Sequence, residues 1–175
     1  PITGFGDING KMLFVGLAPA AHGATRTGRV FTGDKSSEFL YKCLFNAKIS
    51  NKSKSEHISD GLKLKNAFIT TALKCVPPED KPEKKELNNC FHYFKHEVNL
   101  LKNLKIIIAL GKIAFDTCIQ FYRHYYNLDG SYKFAHGKTY KLPNKVILIG
   151  CYHPSPRNVN TKLISNKMMV DLFKK

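Results

Sequence analysis

Acidic residues are scarce in this sequence, and long apolar runs are missing from it. Only 13 Asp and Glu residues stand against 28 Lys and Arg, so the 175 residues carry a formal net charge of +15. No uninterrupted apolar run approaches the roughly 20 residues that a membrane-spanning helix needs, which excludes an integral membrane protein. Apolar residues make up 43% of the chain, which excludes a disordered or fibrous protein. The charge therefore favours a polyanionic partner, nucleic acid before an anionic membrane surface.

Cysteine occurs in a number that does not favour a disulfide framework. The five cysteines cannot all pair with one another, and no signal peptide precedes them. An intracellular, reducing location is therefore expected, in the cytoplasm or the nucleoid. Residues 1–175 are expected to form a single domain, because this length is enough to bury a hydrophobic core.

Four short apolar runs predict the strands of a sheet. They are residues 12–15, 67–70, 106–110 and 146–149. Each is continuously apolar, as parallel strands buried on both faces require. Helical spacing of apolar residues is found around residues 40–47, 87–101, 114–125 and 168–173. Strands that alternate with helices predict an α/β fold, a three-layer sandwich with a central, mainly parallel four-stranded sheet flanked by helices. The polar residues 50–59 are predicted to form an exposed loop.

The ends of these strands are where a ligand is expected, because open parallel sheets bind ligands beyond the carboxyl ends of their strands. The segments that follow those ends are residues 18–34, 75–78, 111–112 and 151–155. Only four of the 28 basic residues are Arg, and three of them lie in or beside these segments, namely Arg26, Arg29 and Arg157. Arg offers a rigid bidentate fork that Lys lacks, so this placement favours recognition of phosphates or bases.

Two features fit both a functional and a structural interpretation from the residues alone. His153 follows a predicted strand and is stiffened by Pro154, which suits either a structural turn or an active-site group. Cys75 and Cys90 are separated by fourteen residues, which permits metal ligation. Cys90 also fits the buried stripe of its predicted helix. Both alternatives stay open at this point.

The loops taken together resemble one known family. The sequence reads GLAPAAHG at residues 16–23, RTGRVFTGD at residues 26–34 and YHPSPRN at residues 152–158. Between them, CVPPEDKP at residues 75–82 leads towards Cys90. On these motifs the chain resembles the uracil-DNA glycosylase superfamily, specifically its family 5 (type B), over nearly its whole length. The resemblance implies a monofunctional DNA-repair glycosylase, which flips a deaminated base out of the stack and hydrolyses its N-glycosidic bond to leave an abasic site.

The resemblance also implies roles for individual residues. His153 would donate a hydrogen bond to the departing base, and Asp34 would place or activate water, with a helix cap as its structural alternative. The base site would be formed by Gly16, Leu17, Ala18, Phe31 and Thr71, and the Phe31 ring would stack on the base. Ala18 stands where other members carry a water-orienting Asp or Asn, and Thr71 where family 4 has a base-reading Asn. A roomier pocket that accepts several deaminated bases is therefore expected.

DNA contacts and a cofactor follow from the same resemblance. The DNA contacts are expected from Arg26, Arg29, Ser155, Arg157 and Asn158. A four-iron, four-sulfur cluster is expected, with Cys75 and Cys90 as two of its thiolate ligands and the other two in an N-terminal segment upstream of Pro1. The cluster would order the loop between the two cysteines rather than perform redox chemistry. The alternative is that this protein has lost the cluster.

Two alternatives stand beside this broad glycosylase. One is a family 4-like glycosylase restricted to uracil, against which Ala18 and Thr71 argue. The other is a glycosylase fold that binds damaged DNA without cleaving it. The expected partners are DNA containing deaminated bases and, as a further candidate, a sliding clamp. The protein is expected to be a monomer that does not associate with membranes.

Overall fold

One mixed sheet forms the centre of the protein in the computed structural model, which describes all residues of the chain except the side chain of Asp80. The strands are β1 Phe5–Gly6, β2 Met12–Gly16, β3 Ala67–Thr71, β4 Ile106–Leu110, β5 Thr139–Lys141 and β6 Ile147–Cys151. Their order across the sheet is β1-β3-β2-β4-β6-β5. The four inner strands pair in parallel, whereas β1 and β5 pair antiparallel at the two edges.

Helices cover both faces of this sheet. They are α1 Ala24–Thr27, α2 Lys35–Asn46, α3 Lys84–Leu100, α4 Lys112–Tyr126, α5 Pro156–Asn160 and α6 Asn166–Phe173. Short 3₁₀ turns occur at Pro78–Asp80 and Pro143–Lys145. Among the helices described, none is both long and apolar enough to cross a bilayer.

The α/β class and the mainly parallel sheet are confirmed, but the predicted number of strands is wrong. The sheet has six strands rather than four. The two additional strands are β1, with two residues, and β5, with three. Each is too short to produce an apolar pattern, and the polar sequence TYK of β5 carries little hydrophobic signal. Edge strands need no second buried partner, so their sequences are less constrained than those of the inner four.

Alternation along the inner strands divides the core into two layers. In β2, Phe14 faces a cluster that includes residues of α2 and α6, whereas Leu13 and Val15 face a cluster with residues of α3 and α4. Successive side chains of a strand point to opposite faces, so continuous apolarity is what a sheet covered on both faces needs. The predicted three-layer arrangement therefore follows from the pattern of these strands.

The loops at the carboxyl edge of the sheet lead directly into helices. In α2, Asp34 is the N-cap, and its Oδ1 accepts a hydrogen bond from Ser37 N at 2.8 Å. In α4, the N-cap is Gly111, whose φ of +103° belongs to a backbone region that side chains disfavour. Because β2 and β4 are parallel, the N-termini of α2 and α4 both lie at this edge.

Residues 50–59 form a loop, as predicted, but the loop is not exposed throughout. Ser50 and Ser55 are only 6% and 8% exposed. Ser50 pairs with Leu64 in an isolated antiparallel bridge, and Ser55 joins a buried hydrogen-bond network. A serine can be buried where its hydroxyl is bonded, which composition alone does not reveal.

Candidate active site

A cavity of ≈ 510 Å³ opens at the carboxyl edge of the sheet. Its lining residues are Ala18, Ala20, Phe31, Asp34, Lys35, Ser36, His153, Ser155 and Pro156. They come from the loop after β2, the start of α2 and the segment between β6 and α5. Five of them were expected in the site from the sequence: Ala18, Phe31, Asp34, His153 and Ser155. We call this space the His153 cavity.

The Phe31 ring lies directly over Gly16 at the end of β2. A Cβ atom added at Gly16 would come within 2.3 Å of Phe31 Cζ, so only glycine leaves room for the ring. Phe31 also has a φ of +51°, a left-handed conformation that is costly for a bulky residue. Such strain persists only where surrounding contacts hold it, and it is common at functional sites. Gly16 therefore contributes to the site through the space that it leaves for Phe31.

His153 is placed by the turn that follows β6. Burial lowers the pKa of the imidazole below its ordinary value, and the nearby Asp34 carboxylate opposes that shift. The neutral imidazole is thus favoured near pH 7, and it carries one N–H that can be donated. A pocket that holds an aromatic ring, a neutral histidine and a carboxylate has the parts needed for acid–base chemistry on a flat, polar ring.

The backbone on both sides of His153 is fixed by hydrogen bonds. Asn158 Nδ2 donates to the carbonyl oxygen of His153 at 2.9 Å. Tyr152 N donates to His136 Nδ1 at 3.2 Å, and the two rings stack with centroids 5.1 Å apart. His136 was not found from the sequence, because it lies in no recognisable motif and only the adjacent Gly137 marks its turn. The amide of Asn158 is committed to the loop, so this residue positions His153.

Asp34 caps α2 and also lines the His153 cavity. Ser37 Oγ accepts from Asp34 N at 3.0 Å while Asp34 Oδ1 accepts from Ser37 N, which completes a capping box at the start of α2. The same carboxyl group lines the His153 cavity. One oxygen thus stabilises the helix, and the side chain still faces the space where a water molecule could be held.

Comparison with known proteins identifies this arrangement. The family model described as "Uracil DNA glycosylase superfamily" matches residues 3–175. The chain belongs to the uracil-DNA glycosylase superfamily. A type-5 uracil-DNA glycosylase of Thermus thermophilus is 38% identical over 99% of this chain and 77% of the relative. One of Pyrobaculum aerophilum is 35% identical over 100% of this chain and 74% of the relative. A type-4 uracil-DNA glycosylase of Archaeoglobus fulgidus is 26% identical over 88% and 70%. The resemblance to family 5 is thereby confirmed.

The prediction that Arg29 contacts DNA is wrong. Arg29 is only 2% exposed and forms a bidentate ion pair with Asp60. Its guanidinium also donates to Ser55 Oγ at 2.8 Å and to Thr32 Oγ1 at 3.3 Å, and it lies 4.9 Å from the centroid of the Phe5 ring. Because the side chain is buried and most of its donors are used inside the protein, Arg29 is not placed to contact a phosphate. Arg29 and Thr32 flank Phe31 in the chain, so this network anchors the strained turn.

The remaining predicted site residues differ in where they lie. Leu17 lines a smaller cavity of ≈ 310 Å³ that also reaches His153. Thr71 is 1% exposed and donates its hydroxyl to the carbonyl oxygen of Leu73 at 2.6 Å, so it is not among the described lining residues of the His153 cavity. Arg26 and Arg157 are exposed, and their contacts with DNA stay predictions. Ser155 caps α5 by accepting from Asn158 N at 3.3 Å.

Cys75 and Cys90 lie together at a second place in this fold. Cys75 is exposed, Cys90 is half-buried, and both line a cavity of ≈ 170 Å³. Burial raises the pKa of Cys43 and Cys151 to about 12 and also raises that of Cys118, so these three thiols are poor ligands. No set of three potential metal ligands occurs among the side chains that the structure describes. The pair could therefore supply two ligands of a metal cluster and would need others.

Proposed function

We propose that this protein is a DNA-repair glycosylase that removes uracil and other deaminated bases from DNA. Superfamily membership supports hydrolysis of the N-glycosyl bond as its activity. The observation that carries the proposal is the meeting of Phe31, His153 and Asp34 around one cavity. A net charge of +15 suits a protein that must hold a polyanion during this reaction.

The reaction assigns each of these residues a step. The target nucleotide leaves the stack and its base enters the His153 cavity, where the Phe31 ring covers one face. As the bond to the sugar stretches, negative charge develops on the base, and His153 donates its N–H to the base oxygen. Asp34 holds the water molecule that adds to the sugar and accepts its proton. The products are the free base and an abasic site.

The lining of the cavity supports acceptance of more than one base. Small residues, Ala18 and Ala20, form part of its wall. Among the lining residues described, none carries a side-chain carboxamide, the group that reads one edge of a base by donating and accepting at the same time. Thr71 is turned to Leu73, so its hydroxyl takes no part in base recognition. Uracil and hypoxanthine both have a carbonyl oxygen that could accept a hydrogen bond from His153.

The proposal is tested by cleavage of labelled duplexes that contain either uracil or hypoxanthine. Wild type should release both bases, and alkali should then cut the damaged strand of each duplex at its abasic site. His153→Ala should lose at least about 100-fold in the single-turnover rate, the usual contribution of a positioned donor. His92→Ala is the matched control, because His92 is an exposed histidine of α3. It should cleave like wild type.

Two variants of Asp34 separate its role on water from its role as a helix cap. Asp34→Asn keeps a good cap and removes the charge, whereas Asp34→Ala removes both. Both should be slow, but only Asp34→Ala should unfold more easily. Full activity of Asp34→Asn would exclude Asp34 as the group that accepts the proton. Release of uracil alone would favour the uracil-restricted alternative, and binding without any release would favour a silent DNA-binding module.

We also propose that Cys75 and Cys90 are two ligands of a four-iron, four-sulfur cluster, with two more supplied by a segment preceding Pro1. The shared cavity of the two thiols supports this. Ile2 N donates to the carbonyl oxygen of Lys74 at 2.7 Å, so the start of the described chain runs beside Cys75. The ammonium of Lys74 is buried in an ion pair with Glu97 at 2.6 Å, which fixes this segment. The cluster would tie the loop after β3 to α3.

The cluster proposal is tested on the full-length protein, purified without oxygen. Iron and sulfide should be present in equal amounts, with the visible absorbance of such clusters. Cys75→Ser and Cys90→Ser should each lose iron. Cys43→Ala should retain it, because Cys43 is buried in the core. Iron retained in both Ser variants would overturn the assignment of these ligands.

A monomeric state, a sliding clamp as an additional partner and the intracellular location stay predictions of this proposal. Sedimentation of the full-length protein tests the first. Capture of a purified clamp by the immobilised protein, with and without DNA, tests the second.

A further inference from the structure

A second cavity adjoins the His153 cavity and has no part in the proposed reaction. It has a volume of ≈ 330 Å³ and lies between α2 and the segment that leads into α5. Lys35 and Pro156 line both cavities, so the two are direct neighbours on the surface. We call it the Phe39 cavity.

The walls of the Phe39 cavity combine apolar surface with positive charge. Lys35, Phe39 and Lys42 follow one another at spacings of four and three, which places them on one face of α2. Phe39 and Val159 of α5 are both half-buried and present apolar surface. The two lysines are exposed and lie two helical turns apart. Glu38 also lines the cavity and offsets part of their charge.

We propose that the Phe39 cavity binds the base next to the flipped nucleotide on the same DNA strand, while Lys35 and Lys42 hold the adjoining phosphates. The inference rests on the proposed function. A nucleotide offers a flat ring that stacks on aromatic and apolar surface and a phosphate that attracts lysine, and these are the two chemistries of the cavity. Because Lys35 reaches both cavities, one strand can fill them in sequence without leaving the surface.

The experiment crosses variants of Phe39 with substrates that lack one base. The duplexes carry uracil, and a tetrahydrofuran abasic analogue replaces the 5′ neighbour, the 3′ neighbour or the base opposite a neighbour. Removing the neighbour that occupies the cavity should lower kcat/KM of the wild type by about 5- to 150-fold relative to Phe39→Ala, the range expected for loss of one base–aromatic stack. Ease of flipping changes equally for both proteins, so it cancels in this ratio.

Further variants protect the test against misfolding. Phe39→Leu keeps the packing of α2 and removes only the ring, so it should give the same pattern at smaller amplitude. Tyr93→Ala is the control, because Tyr93 is a half-exposed aromatic residue of α3, and it should respond to the missing base as wild type does. Lys42→Gln should lower the slope of log affinity against log salt by about 0.9, the value for one lost phosphate contact.

The outcomes separate this inference from the proposed function. Affinity is measured for the same set of duplexes with a tetrahydrofuran residue at the target position, so a protein that binds but does not cleave would refute the glycosylase and still report on the cavity. Equal responses of wild type and Phe39→Ala at both neighbours would overturn the inference. The inference would also be overturned if wild type and Phe39→Ala responded differently only to removal of the base opposite a neighbour, on the complementary strand.

Discussion

Replacement of Arg29 by Met tests whether the buried network under Phe31 is structural. Arg29 and Asp60 have side chains that are 1% and 5% exposed. Loss of one partner from a buried pair usually costs about 3–5 kcal/mol, because the other charge is left without compensation. Asp60 would keep hydrogen bonds from Glu56 N and Leu62 N, each at 2.8 Å. The free energy of unfolding is therefore expected to fall by about 3 kcal/mol, the lower end of that range. For a chain of this size, that corresponds to a fall in Tm of about 6–12 °C.

The dependence of this loss on pH provides an independent check. Burial alone would raise the pKa of Asp60, but the bonds from Arg29 and from backbone N–H groups hold it well below its ordinary range. The stability due to a depressed carboxyl pKa is present above the unfolded value of about 4 and is lost as the pH falls below it. The difference in the free energy of unfolding between wild type and Arg29→Met should therefore become smaller as the pH falls below about 4.

Urea unfolding followed by circular dichroism measures the change in the free energy of unfolding. Lys167→Met is the control, because Lys167 also pairs with a carboxylate but is 85% exposed, and it should leave the midpoint unchanged. The double variant Arg29→Met/Asp60→Leu should recover part of the loss, since no charge is left unpaired. If Arg29→Met lost less than about 1 kcal/mol in the free energy of unfolding and also bound DNA more weakly, the structural role of Arg29 would be refuted. Arg29 would then again be a candidate DNA contact.

Three further predictions concern the site and the cysteines. The NMR titration midpoint of His153 should lie below about 6.5, and Asp34→Asn should lower it further because the opposing carboxylate is lost; a rise would contradict this. Since the folded protein then binds fewer protons than the unfolded chain, stability should fall as the pH drops below about 6.5. Gly16→Ala should displace the Phe31 ring and lower kcat/KM about tenfold, with little change in the DNA-binding salt slope; unchanged kinetics would disprove the contact. In the 175-residue chain at about pH 8, a thiol reagent should modify rapidly only two of the five cysteines, namely Cys75 and Cys90.

The parts of the fold that the sequence predicts are those with strong periodic signals. Continuous apolar runs predict β2, β3, β4 and β6, and the rule that ligands bind at the carboxyl ends of parallel strands leads to the His153 cavity. The edge strands β1 and β5 are not predicted, because two or three residues are too few to show a periodic apolar pattern. Pattern analysis therefore locates the site without resolving its edges.

Individual side chains are harder to assign because a sequence does not give their direction. Arg29 in a loop of polar and glycine residues has the composition of a phosphate contact, but its partner Asp60 lies 31 residues away and draws it inward. Thr71 was placed in the base site by resemblance, and the carbonyl oxygen of Leu73 captures its hydroxyl. His136 acts through the backbone of Tyr152, a contact that no motif encodes. These three side-chain positions could not be predicted for the same reason: each depends on a hydrogen-bond partner that only the folded chain brings close.

The start of α2 and the start of α4 at the same edge have an electrostatic consequence. Each helix directs the positive end of its dipole towards that edge, and α2 begins at the wall of the His153 cavity. This field comes from backbone peptides and strand direction, so it is fixed by topology and no mobile lysine has to be recruited. Added salt screens the exposed lysines that attract DNA far more than it screens the peptide dipoles at the wall of the His153 cavity. High ionic strength should thus slow the capture of DNA while the breaking of the glycosidic bond within the bound complex continues almost unchanged.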